Sequence, residues 1–419
     1  MSGQVAKAPN LGNKQKNYQF RNWSSTFKCV PELYFRPKSE DELVNIVNLA
    51  RENHKTIKVV GSGHSPSDLA CTNEYMINLD DLNHVLEFDP KSRIITVEAG
   101  IRLFQLNQEL KWRGIALSNL GAISDQSIAG AISSATHGTG INFGNLSTQV
   151  IGLTMITASG KKIHCSEVKD AEIFKAALCS VGALGIITRV TIQCEPEFRL
   201  EAEQQPMKLD TILNDLKEIV CSAEHVRFWW SPHTDDCAKQ AETIGYFRET
   251  ILGYHLYQFL LYLTRFYPPT IPRLAHLMFL IKFNKGTLMV DDSYKVFNSD
   301  CLFEQYVNEW AIPWERTAEA LRKLGQWVRE NDEKGIYVHF PVEVRFVDKD
   351  DIWLSPSYGR KAHTMFKDEL TKAYPKFKDF LELREELDPE GIFLNPYLRR
   401  HLLGEYGPKV DAAQFKARL

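Results

Sequence analysis

Twice the chain leaves a strand-like segment and enters a stretch where glycine, alanine and hydroxyl residues displace almost everything bulky. The first is KVVGSGHSPSD at residues 58–68, and the second is LSNLGAISDQSIAGAISSATHGTGINFGN at 117–145. Glycines there let the backbone take positive φ and turn successive N–H groups toward one anion, and missing side chains let it approach a flat ligand closely. A fold for this sequence must bring two such turns to a common partner.

Spacing separates the possible chemistries. A nucleophile elbow needs G-x-S-x-G, but Gly63-His64-Ser65-Pro66-Ser67 has serine where the second glycine belongs. The P-loop pattern is absent. Gly61-Ser62-Gly63 is followed by His64-Ser65-Pro66, in which Pro66 removes a backbone donor, so the dinucleotide fingerprint fails as well. Gly138-Thr139-Gly140 with Gly144 is one residue off the same spacing. Two nests remain, with serine hydroxyls beside them, and together they suit the pyrophosphate of a cofactor.

Composition excludes other classes. With 53 acidic and 50 basic residues, a net charge of −3 and no Lys/Arg block, the chain has no field for nucleic acid. The eight cysteines lie far apart, without C-x-x-C or metal-like spacing, and read as reduced and mostly buried thiols. The first twenty residues lack the apolar core of a secretory signal, so a cytosolic start is expected.

At 419 residues the chain exceeds one core, and its texture changes near residue 200. Residues 1–199 read as an α+β unit. Ser39 caps a helix with Glu42 three positions on, and Leu43, Ile46, Val47 and Ala50 keep helical spacing. Alternating strands follow, then a helix from Leu103 to Arg113, a hairpin turning at Ser159-Gly160 and a buried strand in GALGIITRVTIQ. The stretch 117–145 has no helix or strand period. Residues 200–380 read as an α+β cap of helices against a sheet, and 381–419 as a C-terminal segment returning to the first unit. Within the cap, residues 251–283 are apolar but broken by Arg265, Pro268-Pro269 and Arg273, too short to span a bilayer. A helical hairpin dipping into one leaflet is the expectation; packing on the cap or a dimer contact is the alternative.

With both loops in view, the chain resembles the vanillyl-alcohol-oxidase-type (PCMH-type) FAD flavoproteins, and within them the sugar-1,4-lactone oxidases. The likeness runs from NWSSTFKCVPELYFRP to LDPEGIFLNPYL. The pattern is nearest to the branch acting on D-arabinono-1,4-lactone and then to the L-gulono-1,4-lactone branch. The resemblance implies a two-subdomain FAD-binding domain under an α+β cap. It places Val60, Gly61, Ser62, Gly63, His64, Ser65, Pro66 and Ser67 at the cofactor, with His64 bonded covalently to the flavin or, alternatively, hydrogen-bonded to it. From the second loop it adds Asn119, Gly121, Ala122, Ser124, Asp125, Ile128, Gly130, Ala131, His137, Gly138, Thr139 and Gly140, and from the next unit Ile187. Gly121 stands where related plant galactonolactone dehydrogenases carry alanine, and so implies the oxidase type.

On the substrate side, HFPVEVRFVDKDDIWLSPSYGR (339–360) alternates as a strand that puts Glu343 and Arg345 on one face. From the residues alone they could simply pair. The resemblance makes them the active-site pair, Arg345 holding a substrate oxygen and Glu343 accepting a hydroxyl proton. It implies hydride transfer from a lactone hydroxyl carbon to FAD, an ascorbate-type product (D-erythroascorbate biosynthesis) and reduction of O₂ to H₂O₂. One departure stands out. The family pattern H-W-A-K-x-H is entered here directly at Lys361-Ala362-His363, with His-Trp-Ala and upstream cap residues missing, so Lys361 carries over provisionally. A flavin-binding chain without turnover, or a dehydrogenase using another acceptor, are the alternatives. The expected location is a membrane surface, the mitochondrial outer membrane first, with the cytoplasm as alternative.

Overall fold

A computed structural model describes residues 10–234, 236–239, 255–283, 286–298, 307, 309–359 and 374–405. Ser39 accepts the Glu42 amide at 3.2 Å and caps the helix Glu40–Glu52, while the Glu42 carboxylate reaches back to the Lys38 amide at 2.7 Å. Its buried face, Leu43, Ile46, Val47 and Ala50, closes over a core shared by two sheets. The first sheet orders Asn13–Gln15, Leu33–Arg36, Tyr75–Asn78 and Ile57–Val60, the last three parallel. The second is five-stranded and antiparallel: Lys162–Ser166, Val150–Ile156, Ile186–Gln193, Ile94–Glu98 and Val85–Asp89. Glu40 ties the helix to this sheet through Arg189 and Thr188. Burial raises its carboxyl, but these hydrogen bonds and one from Lys162 bring the pKa down to about 2.

A third, antiparallel sheet orders Thr287–Asp292, Arg199–Lys208, Asp236–Lys239, Arg227–Trp230 and Val342–Arg345. Period two puts Phe228 and Trp230 inward, against Ile212, Leu213 and Leu321 of covering helices. The chain then returns: Phe377, Phe380, Phe393, Leu394 and Leu398 enter the first core, and the Ile57 amide bonds the Ile392 carbonyl at 2.6 Å. Asp388 fixes that return by accepting the Ile392 and Phe393 amides, each at 2.8 Å.

Three local expectations change. The aperiodic 117–145 stretch contains a short helix, Ile128–Ser133, whose Ile128, Ala131 and Ile132 are fully buried; alanine and glycine mask its one apolar face in sequence. The stretch LDTILNDLKEIV at 209–220 reads as one helix, but it breaks at Asp215, whose backbone leaves helical dihedrals, giving Leu209–Asn214 and Leu216–Val220. The long strand expected over 339–360 narrows to Val342–Arg345, because beyond it the chain leaves the sheet edge and bridges Gly140 through Val347. Helices Tyr257–Thr264 and Ile271–Phe283 form a hairpin around the turn Pro268–Thr270, held by Tyr257, Leu274 and Met278.

Lys58, on the strand that feeds the first glycine loop, is buried with its ammonium donating to the Val181 carbonyl at 3.0 Å. Burial lowers its pKa from 10.5 to about 7. The unfolded chain therefore binds more protons than the folded one between about pH 7 and about pH 10, and stability rises with pH across that window. Replacing Lys58→Met should abolish this rise. Thermal unfolding followed against pH should show the wild type gaining on the variant; parallel curves would contradict the assignment.

Candidate active site

The strand Ile57–Val60 ends in the first loop, where Gly63 takes φ +72°. A hairpin of Phe20–Arg21 and Lys28–Cys29 backs this loop. The Trp23 amide donates to the Gly63 carbonyl at 2.9 Å, and the Asn22 side chain to the Ser65 carbonyl at 3.1 Å. From the other side Asn78 reaches the Gly61 carbonyl at 3.3 Å. Ser67 shapes the loop end, its hydroxyl accepting the Leu69 amide, and Arg400 pairs with Asp68 at 2.6 Å. Ser62 and Ser65 keep part of their surface and Pro66 is exposed.

His64 sits in this frame with its ring stacked on Trp23, centroids 5.6 Å apart, and Nε2 3.9 Å from the Asp125 carboxylate. Its side chain is 9% exposed, and Nδ1 is buried with no hydrogen-bond partner among the described residues. Burial lowers the imidazole pKa, with Asp125 opposing it. A buried nitrogen left open costs about 1–3 kcal/mol, so the position calls for an incoming group.

The second loop is pinned to the start of helix Leu103–Trp112. Arg102 donates to both oxygens of Asp80 at 2.7–3.0 Å and to the Asp125 carbonyl at 2.8 Å. Phe104 and Leu103 amides bond the Ser124 and Gln126 carbonyls at 2.9 Å. The loops then touch: a Cβ on Gly61 would stand 2.2 Å from Ser127 Oγ, so only glycine allows this approach. A Cβ on Gly138 would likewise meet Asn119 Oδ1 at 2.2 Å, and one on Gly121 the Thr136 methyl at 2.7 Å.

The cap meets the second loop at the same place. The Gly140 amide bonds the Phe346 carbonyl at 2.7 Å, and Thr139 links the Val226 carbonyl to the Phe346 amide. Glu343 and Arg345 form a two-point pair at 2.8 and 2.9 Å, and Arg345 Nη1 also donates to the His137 carbonyl at 3.4 Å. That carbonyl lies 3.4 Å from where a Gly121 Cβ would stand, so the Arg345 guanidinium and Gly121 share one neighbour. Arg227, directly across the sheet from Arg345, adds a second guanidinium to Glu343 at 3.3 Å. Two cations against one carboxylate leave the wall suited to a substrate oxygen that gains negative charge. Burial works against charge on His137, yet the Glu309 carboxylate against Nε2 holds its pKa above the ordinary value.

The structure thus brings His64 to Asp125, and Glu343 with Arg345 to His137 and Gly121. Ser124 and Ala122 are partly open, and Gly130 and Asp125 exposed. Asn119, Val60 and Ile187 are buried, and Asn119 spends its Oδ1 on the Leu120 amide. Ile128 and Ala131, expected at the cofactor, have no exposed surface and their amides bond Ile101 and Ser127, so they pack beneath the loop. Lys361 lies outside the described residues. Arg227, Arg102, Asn78 and Trp23 are residues that sequence reasoning missed. For Arg227 the period-two pattern of HVRFWW was the available signal, but the partner strand was not.

A family profile described as D-arabinono-1,4-lactone oxidase matches residues 190–363 and 361–401, and one described as FAD binding domain matches 31–166. The two matched segments of the first profile overlap at 361–363, the Lys361-Ala362-His363 where the sequence enters the H-W-A-K-x-H pattern. L-gulonolactone oxidase of Scyliorhinus torazame is 40% identical over 432 aligned positions, covering 91% of this chain and 98% of the relative. Since 91% of 419 residues fill 432 positions, the relative carries internal residues that this chain skips. D-arabinono-1,4-lactone oxidase of Eremothecium gossypii is 40% identical over 351 positions, 79% of this chain and 66% of the relative. The fold matches cholesterol oxidase from B. sterolicum with a TM-score of 0.76 at 14% identity, covering 95% of this chain and 99% of that one.

The residues fit FAD: His64 Nδ1 is buried with no partner among the described residues, and Ser62, Ser65, Ala122 and Ser124 keep open surface on the two loops. With the oxidase profile over its second half and relatives aligned along nearly its whole length, the chain belongs to the FAD-binding sugar-1,4-lactone oxidase family.

Proposed function

We propose that this chain is an FAD-dependent oxidase of an aldono-1,4-lactone, D-arabinono-1,4-lactone first, giving an ascorbate-type product and H₂O₂. The observation that carries the reading is the Glu343–Arg345 pair seated at the His137 carbonyl, beside Gly121 of the second loop. Residues 60–67 and the open positions of 121–140 hold the cofactor. Bound FAD supplies the hydride acceptor and passes the electrons to O₂. Arg345 binds the lactone oxygen and stabilises charge developing there, with Arg227 keeping Glu343 in place when Arg345 turns to the substrate. Glu343 accepts the proton of the reacting hydroxyl.

Glu343→Gln and Arg345→Met should each lower kcat for lactone-dependent H₂O₂ release by about 10²–10³-fold at unchanged flavin content. Variants close to wild-type rate would remove both residues from the chemistry.

His64, with Nδ1 open and buried, is the point of covalent attachment in this reading. Acid-precipitated wild type should keep its flavin colour and mass, and His64→Ala should release flavin to the supernatant. Flavin that leaves the precipitated wild type would rule out the bond.

The helical hairpin supports association with a membrane surface. Phe259, Tyr262, Leu263, Phe266, Tyr267, Leu277 and Leu280 are exposed around its turn, and Arg265 stands over the Tyr262 ring. Among the described residues no helix is long and apolar enough to cross a membrane. In this reading the hairpin lies in one leaflet, the mitochondrial outer membrane being the first to test. The protein should sediment with vesicles in low and high salt and be released by detergent; protein that stays in the supernatant with vesicles present would contradict this.

A further inference from the structure

We propose that Cys29 and Cys71 are a peroxide-sensitive thiol pair whose oxidation to a disulfide locks the N-terminal hairpin onto the segment that follows the first cofactor loop. Strands Leu33–Arg36 and Tyr75–Asn78 run parallel, and the pairing continues backwards through the Glu32 amide to the Asn73 carbonyl at 3.0 Å. Three residues before Glu32 is Cys29; two before Asn73 is Cys71. Parallel neighbours lie about 4.8 Å apart, inside the roughly 4.4–6.8 Å that a disulfide spans between Cα atoms. Both side chains pack on the same small cluster of Phe20, Tyr34, Val60, Ala70 and Met76, and both are partly accessible.

The two sulfurs are chemically unequal. Cys29 accepts hydrogen bonds from the Cys71 thiol and the Thr72 amide, which outweigh burial and bring its pKa down from 9.0 to about 7. Cys71, as the donor, is raised. Cys29 is therefore the nucleophile and Cys71 the resolving thiol. The Cys29 thiolate attacks peroxide, forming an S–O bond as the O–O bond breaks and hydroxide leaves. Cys71 then attacks the sulfenic sulfur, forming S–S as S–O breaks and the second oxygen leaves as water. Two thiols are oxidised, one peroxide is reduced, and two waters result.

The source of peroxide rests on the oxidase reading above, since H₂O₂ would then be made by the same molecule. The consequence is local: the hairpin that would be fixed carries Asn22 and Trp23, which hold the Ser65 and Gly63 carbonyls beside His64. Oxidation clamps the backing of the cofactor loop.

The test uses the full-length flavin-loaded protein, H₂O₂ added in stoichiometric steps, and peptide mapping without reductant. A Cys29–Cys71 linked peptide should form and vanish with reductant. Cys71→Ser should stop at a Cys29 sulfenic acid trapped by dimedone, and Cys29→Ser should leave Cys71 reduced. Amide exchange at Trp23 should slow about tenfold or more on oxidation. Both thiols still alkylated after peroxide, or Cys29 linked elsewhere, would overturn the proposal. In a second arm, lactone and O₂ replace added peroxide, with catalase as control. A link that forms with added peroxide but not in this arm upholds the pair and counts against the oxidase reading.

Discussion

Arg102 fixes the geometry on which the rest of the site depends. Its guanidinium grips Asp80, two residues beyond the Asn78 that holds the Gly61 carbonyl, and the same group donates to the Asp125 carbonyl of the second loop. The two-point carboxylate pair is partly buried, where charge-assisted hydrogen bonds count for more than on an open surface. With the loops tied, Gly61 rests on Ser127 with no room for a methyl group, and His64 faces Asp125. Downstream, the second loop carries the His137 carbonyl to Arg345 and the Gly140 amide to Phe346, so the cap takes its position from this junction.

The cap contributes through the edge of its sheet. Val342–Arg345 is the last strand in order, so the chain after it is free to bridge Gly140 instead of another strand. Alternation sends Phe228 and Trp230 into the cap core and leaves Arg227, Glu343 and Arg345 together on the other face. The pairing that a bare E-x-R strand suggests is real here, and it coexists with a position beside the second glycine-rich loop. The overlap of the two matched segments at 361–363 falls in the chain that follows this strand.

What could be read from sequence was what local chemistry dictates. Ser39 as a cap, Gly160 at a hairpin turn and a tight turn at Gly63 follow from residue type and spacing alone, and the structure has each of them. The short helix Ile128–Ser133 was hidden, because its stability comes from burying Ile128, Ala131 and Ile132 in a tertiary core, and small residues give little local signal. Arg227 and Arg102 were hidden for another reason. Each works through a partner far away in the chain, and a single sequence does not show which strands will be neighbours. Family resemblance supplied Glu343 and Arg345, but it did not supply the second guanidinium or the clamp behind the loops.

The central claim is that the two tied loops hold a flavin within reach of the Glu343–Arg345 wall, so that a lactone reduces it directly. Anaerobic titration of the purified protein with D-arabinono-1,4-lactone, and with L-gulono-1,4-lactone for comparison, tests this with the visible flavin spectrum as readout. The account predicts bleaching by at least one lactone in proportion to the amount added, and return of the oxidised spectrum with H₂O₂ when air is admitted. Bound flavin that no lactone bleaches would contradict it.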